Sequence, residues 1–73
     1  MEAIVKIQYD PKADALYIEL RDGDIEESDE IAKGFIVDYD ADGKPLAIEL
    51  LDASQVLGGR EMRVELALAE GGG

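Results

Sequence analysis

Gly34-Phe35-Ile36-Val37-Asp38-Tyr39-Asp40-Ala41-Asp42-Gly43-Lys44-Pro45-Leu46-Ala47-Ile48-Glu49-Leu50-Leu51 supports two different structures. The first is a β-hairpin. Asp-Gly between alternating apolar residues favours a two-residue turn, because both central positions need positive φ and these two residues tolerate it. With Asp42 and Gly43 as the turn, Ala41 faces Lys44, Asp40 faces Pro45, Tyr39 faces Leu46, Val37 faces Ile48 and Phe35 faces Leu50. The six large apolar residues then share one face, and a slip of one residue would divide them between two. Pro45 has no N–H for a neighbouring strand, which puts that end of the second strand at a sheet edge.

The second is a calcium loop. Asp38-x-Asp40-x-Asp42-Gly43-x5-Glu49 matches the EF-hand pattern of hard oxygen ligands around a glycine turn. Its flanks, Phe35-Ile36-Val37 and Leu46-Ala47-Ile48, are strand-like where an EF-hand needs helices. Pro45 occupies the eighth position, where an apolar residue normally makes a backbone bridge. Up the strand from the turn, Glu49 cannot wrap back onto an ion. The hairpin is therefore the better account. Asp38, Asp40 and Asp42 remain candidates for loose divalent-cation binding, set against Asp40 and Asp42 as turn residues and Asp38 as a solvent-facing strand residue.

The chain has 73 residues and a formal net charge of −11, from 18 acidic and 7 basic side chains, with no Cys and no His. Disulfides, thiolate metal sites and Cys or His catalysis are excluded, and the absence of Cys fits a reducing, cytoplasmic setting. The charge argues against nucleic acid and against an anionic membrane surface as partners. No apolar run approaches the ~20 residues of a membrane span.

Val5, Ile7 and Tyr9 alternate with Lys6 and Gln8, a half-buried strand pattern. Asp10-Pro11-Lys12-Ala13-Asp14 interrupts it, with Asp10 placed to cap one helical turn. Leu16, Ile18 and Leu20 resume the alternation, and pairing Tyr9 with Leu16 sets Ile7 opposite Ile18 and Val5 opposite Leu20. Residues 22–30 hold Asp22, Asp24, Glu26, Glu27, Asp29 and Glu30 with no basic residue. That crowding predicts an exposed loop or a strand edge protected by charge. From Ile31 the apolar parity runs through Phe35, Val37 and Tyr39, with Gly34 as a candidate bulge. Residues 52–57 read as a short helix capped by Asp52 or Ser54 and stopped by Gly58-Gly59. Met62, Val64, Leu66 and Leu68 alternate with polar or small residues, which favours a strand, although a helix also fits residues 60–69.

These elements predict a mainly β protein (α+β at most): an antiparallel four- to five-stranded meander sheet with one short helix. Residues 1–70 form a single small domain and residues 71–73 a flexible Gly tail. Residues 53–69 are the only segment available to cover the apolar face. The other face carries Ile4, Tyr17, Ile36 and Leu51, more than a solvated face requires. A homodimer or larger assembly is therefore expected, with Tyr17 as an interface anchor.

Ile7-Gln-Tyr-Asp-Pro-Lys-Ala-Asp-Ala-Leu-Tyr-Ile18 resembles the opening motif of a small prokaryotic family, domain of unknown function 2283. Residues 34–54 look like its second block. The resemblance implies a soluble cytoplasmic protein of bacteria or archaea, with no established activity or catalytic residues. Some members stand beside toxin-like proteins, which implies an antitoxin-like or regulatory binding role.

The sequence therefore points to binding rather than catalysis. No Ser has a His partner, and no Gly-rich phosphate loop is present. Asp10 and Asp14 could form an acid–base pair, but their spacing across a Pro turn suits capping better. No cofactor is expected. The expected partner is a basic protein docking on Asp22, Asp24, Glu26, Glu27, Asp29 and Glu30, with calcium binding by Asp38, Asp40 and Asp42 as the alternative.

Overall fold

The computed structural model describes residues 2–69. The predicted Gly71–Gly73 tail lies outside the described residues. Five strands and one helix follow in chain order: β1 (Lys6–Asp10), β2 (Ala15–Glu19), β3 (Glu27–Ala32), β4 (Phe35–Tyr39), β5 (Pro45–Leu50) and α1 (Ala53–Leu57). The strands form one antiparallel sheet in the order β1-β2-β5-β4-β3. The mainly β class holds. The meander holds only for β3-β4-β5, because β2 pairs with β5 and residues 20–26 carry the chain to the far edge. On the way, the Leu20 N–H donates to the Leu46 carbonyl at 2.8 Å.

The first hairpin has the register its apolar alternation requires, with Tyr9 opposite Leu16 and Ile7 opposite Ile18. Val5 and Leu20 fall outside the paired strands. Between the strands, Asp10 Oδ1 accepts the Lys12 N–H at 3.0 Å and the Ala13 N–H at 3.4 Å, so the capping interaction forms on a turn rather than a helix.

The second hairpin keeps Phe35 opposite Leu50 and Val37 opposite Ile48, but its tip differs from the two-residue turn. Tyr39 pairs with Pro45, and Leu46 is the extra residue of a bulge. The Gly43 N–H donates to the Asp40 carbonyl at 3.0 Å and the Asp40 N–H to the Lys44 carbonyl at 2.9 Å. Of the two turn residues, only Gly43 has positive φ, at 78°. This longer loop wins because Asp40 Oδ1 accepts both the Asp42 and the Lys44 N–H groups at 2.9 Å, a turn that a side chain stabilises. β5 is the central strand, yet Pro45 is its first residue and sits beyond the β2 ladder, where its missing N–H costs little.

Two further expectations are corrected. The parity from Ile31 to Tyr39 is not one strand. The chain reverses at Lys33-Gly34, β3 pairs back on β4, and Ile31 is a bulge residue. Gly34 sits at φ 76°, with the space for a Cβ only 3.0 Å from the Leu51 carbonyl, which accounts for the glycine. Residues 60–69 form neither strand nor helix. Alternation gives a segment an apolar face but no ladder partner, and the acidic stretch takes the sheet position instead.

One face carries Tyr9-Leu16-Leu50-Phe35 and Ile7-Ile18-Ile48-Val37 in rows across the strands. Leu46, Ala47, Leu50, Val37 and Ala53 are buried. Full burial of a leucine such as Leu46 contributes about 1.5–3 kcal/mol.

Candidate functional site

Strand parity fixes what the opposite face carries. Where Val37 and Ile48 point to the apolar side, Asp38 and Glu49 point to the other. One row there runs Gln8-Tyr17-Glu49-Ile36-Glu30 and the next Lys6-Glu19-Ala47-Asp38-Ser28. Asp38 and Glu49 are thus diagonal neighbours on adjacent strands.

Asp38 has no exposed surface, contrary to its expected place as a solvent-facing residue. It sits across from Ala47, whose small side chain leaves room for it. Its Oδ1 accepts the Ser28 hydroxyl at 2.5 Å, whereas its buried Oδ2 has no partner within the described chain. Glu49 is the acidic side chain diagonal to it on the same face. A hydrogen bond to Asp38, then burial, then repulsion from the Asp38 charge push its carboxyl above the ordinary value. The Tyr17 hydroxyl beside them is also pushed up, by burial first and then by Asp38, Glu19 and Glu49. Lys6 lies 3.7 Å from Glu19, and among the described residues no basic side chain forms an ion pair with Asp38 or Glu49.

The three candidate calcium ligands are not brought together. Asp38 faces Ser28 on the sheet. Asp40 holds the turn and binds the Arg21 guanidinium at 2.7 Å, and that hydrogen bond leads the causes keeping its carboxyl low. Asp42 is exposed at the tip. Among the described residues no three acidic side chains group as a metal would require. The first and last positions of the calcium pattern, Asp38 and Glu49, do meet, but on a sheet face rather than in a loop.

Asp22 and Asp24 lie in the connection between β2 and β3. Glu27, Asp29 and Glu30 lie on β3, which is an outer strand exposed along its whole length. Glu30 Oε2 also accepts the Gly34 N–H at 3.2 Å. Tyr17 is half-buried beside the carboxyl pair. Asp14 caps α1 and takes no part in a pair with Asp10: it accepts the Ser54 N–H at 3.0 Å, the Ser54 hydroxyl at 2.6 Å and the Tyr9 hydroxyl at 2.6 Å. Asp52, at left-handed φ 52°, makes no side-chain cap. The Asp38–Glu49 contact is absent from the sequence expectations, although the hairpin register contains it: pairing Val37 with Ile48 already places both carboxyls on one side.

These features define a small protein built on a single antiparallel sheet, with an acidic edge and a carboxyl pair on its polar face. Residues 6–54 match the family described as "Protein of unknown function (DUF2283)", and the chain belongs to that family. The matched span contains Asp14, Tyr17, Ser28, Asp38, Glu49 and Ser54. No curated protein and no solved structure matches the chain. No helix among the described residues is long and apolar enough to cross a membrane.

Proposed function

We propose that this protein acts by binding, as an interaction module that docks a basic segment of a partner protein along β3. The observation that carries this reading is the placement of Glu27, Asp29 and Glu30 on an outer strand with every residue exposed. An outer strand offers unpaired backbone N–H and C=O groups to an added strand, and its side chains select the charge of what is added. Glu26 and the net charge of −11 extend the same preference.

The test is titration of the full chain with a lysine-rich synthetic peptide, followed by NMR of the backbone amides. Shifts concentrated in residues 26–32, lost in the Glu27→Lys/Asp29→Lys double variant and weakened at about 1 M salt, support the reading. Binding that survives both changes refutes it.

A homodimer is part of this proposal. Ile4, Val5 and Ile7 are exposed beside Val64 and Leu66, and together they line one apolar hollow next to β1. A second copy covering this hollow would remove their apolar surface from water. The measurement is solution mass by sedimentation: a dimer supports the proposal, and a monomer at every concentration removes it.

A further inference from the structure

The polar face holds a charge that no basic side chain among the described residues pairs with. Among the described residues Asp38 is fully buried with Oδ2 unpartnered, Glu49 is diagonal to it, and Lys6, in the same cross-strand row as Asp38, is engaged with Glu19. A buried carboxylate without a cation or enough donors is costly, so a cation placed there is favoured. Glu49 and Tyr17 are half-buried and therefore within reach of an incoming group, and they face each other across β5 and β2.

We propose that this face receives an arginine side chain of the partner, its guanidinium held by Glu49 and stacked on the Tyr17 ring, with the Asp38 charge behind it. A guanidinium fits better than an ammonium because it pairs with a carboxylate through two parallel N–H groups and stacks on aromatic faces. A metal ion fits less well, since no third acidic ligand joins the pair among the described residues. Tyr17 adds the cation–π attraction. The row Glu30-Ile36-Glu49 joins this site to the β3 edge. Glu49 lies two strands inward from β3, about 10 Å at the usual strand spacing. The arginine therefore belongs to a part of the partner that overhangs the face, not to the strand added at the edge.

This inference rests on the basic-partner reading and refines it. It also carries a pH signature. The groups facing Glu49 are Tyr17 and Glu19 on β2 and Asp38 on β4, with Lys6 on β1 and Glu30 on β3 one strand further out. A bound guanidinium favours the ionised Glu49, so affinity rises as pH rises through the Glu49 titration.

The experiment compares two synthetic peptides of equal charge and length, one arginine-rich and one lysine-rich, binding to the full chain by calorimetry. Wild type should prefer the arginine peptide by about two- to fivefold, the size of an exposed cation–π contact. The preference should grow with pH and disappear in Glu49→Gln and in Tyr17→Leu. Glu49→Gln keeps the side-chain shape and removes a repulsion, so it folds. Lysine-peptide binding at β3 without any arginine preference, or a preference that survives both variants, overturns this inference and leaves the basic-partner reading standing. Failure of both peptides to bind overturns both.

Discussion

Asp14 and Ser54 join the two ends of the family-matched region across a sequence separation of 40 residues. Asp14 Oδ2 accepts the Ser54 hydroxyl at 2.6 Å, and Oδ1 accepts the Ser54 N–H at 3.0 Å. The backbone takes part as well, since the Ala53 N–H donates to the Asp14 carbonyl at 2.8 Å. α1 has only five residues and little stability of its own, so this long-range cap fixes where it sits.

Loss of this cap should be visible in thermal melts. Asp14→Ala is expected to lower Tm by about 4–8 °C, the shift expected when a chain this small loses one helix cap. Asp14→Asn, which keeps an acceptor and tolerates the left-handed φ of 51°, should fall less. An unchanged Tm in Asp14→Ala would rule out the capping role.

The same carboxyl sets an acid limit. Hydrogen bonds from the Ser54 and then the Tyr9 side chains hold Asp14 below its ordinary value of 3.8. A depressed carboxyl stabilises the fold above the unfolded value, and that contribution is lost as pH falls below it. Melts between about pH 5 and pH 2 should therefore show a steeper fall in Tm for the wild type than for Asp14→Asn.

Glu49 has the opposite sign. Its carboxyl is raised in the folded chain by the hydrogen bond to Asp38, by burial and by repulsion, so the fold binds this proton more tightly than the unfolded chain does. The stabilisation is present below the ordinary value of 4.5 and is lost as pH rises through the folded value. Glu49→Gln should melt higher than the wild type at about pH 8, and the gap should close below about pH 4.5. A constant gap across that range would show that Asp38 and burial do not raise the Glu49 carboxyl.

Ser28→Ala removes the one hydroxyl that satisfies Asp38 Oδ1. An acceptor left buried without a donor costs about 1–3 kcal/mol. Chemical denaturation should register that loss, while Ser28→Ala in an Asp38→Ala background should cost much less.

Two glycines separate strain from collision. Gly34 and Gly43 have nearly the same φ, 76° and 78°. A Cβ at Gly34 would meet the Leu51 carbonyl at 3.0 Å, whereas one at Gly43 meets nothing within 4 Å. Gly43→Ala should therefore cost about 1–2 kcal/mol, the left-handed penalty alone, and Gly34→Ala distinctly more. Equal losses would show that the approach to Leu51 carries no energy.

Much of this was legible in the chain. Alternation across Ile7, Tyr9, Leu16 and Ile18 contains the first hairpin with its register, and Phe35, Val37, Ile48 and Leu50 contain the body of the second. Both rest on period-two burial, which is a local property. The tip of the second hairpin departs from the favoured two-residue turn because a side chain, Asp40, competes with it. Residues 60–69 depart from the strand that their alternation implies, because no strand forms without a neighbour.

By itself the sequence determined the strand class, the two hairpins, the acidic balance and the family, because each depends on spacing or composition within a short stretch. Only the tertiary structure decided the strand order, which makes the acidic stretch an outer strand and β5 the centre. It also turned Asp14 into the cap of a helix far along the chain and buried Asp38 against Glu49. The physical reason is common to all three: each depends on what another part of the chain leaves beside it. The Gly34–Leu51 stretch thus holds a carboxyl pair that its calcium-like spacing marked, but that only the register of β4 against β5 brought together.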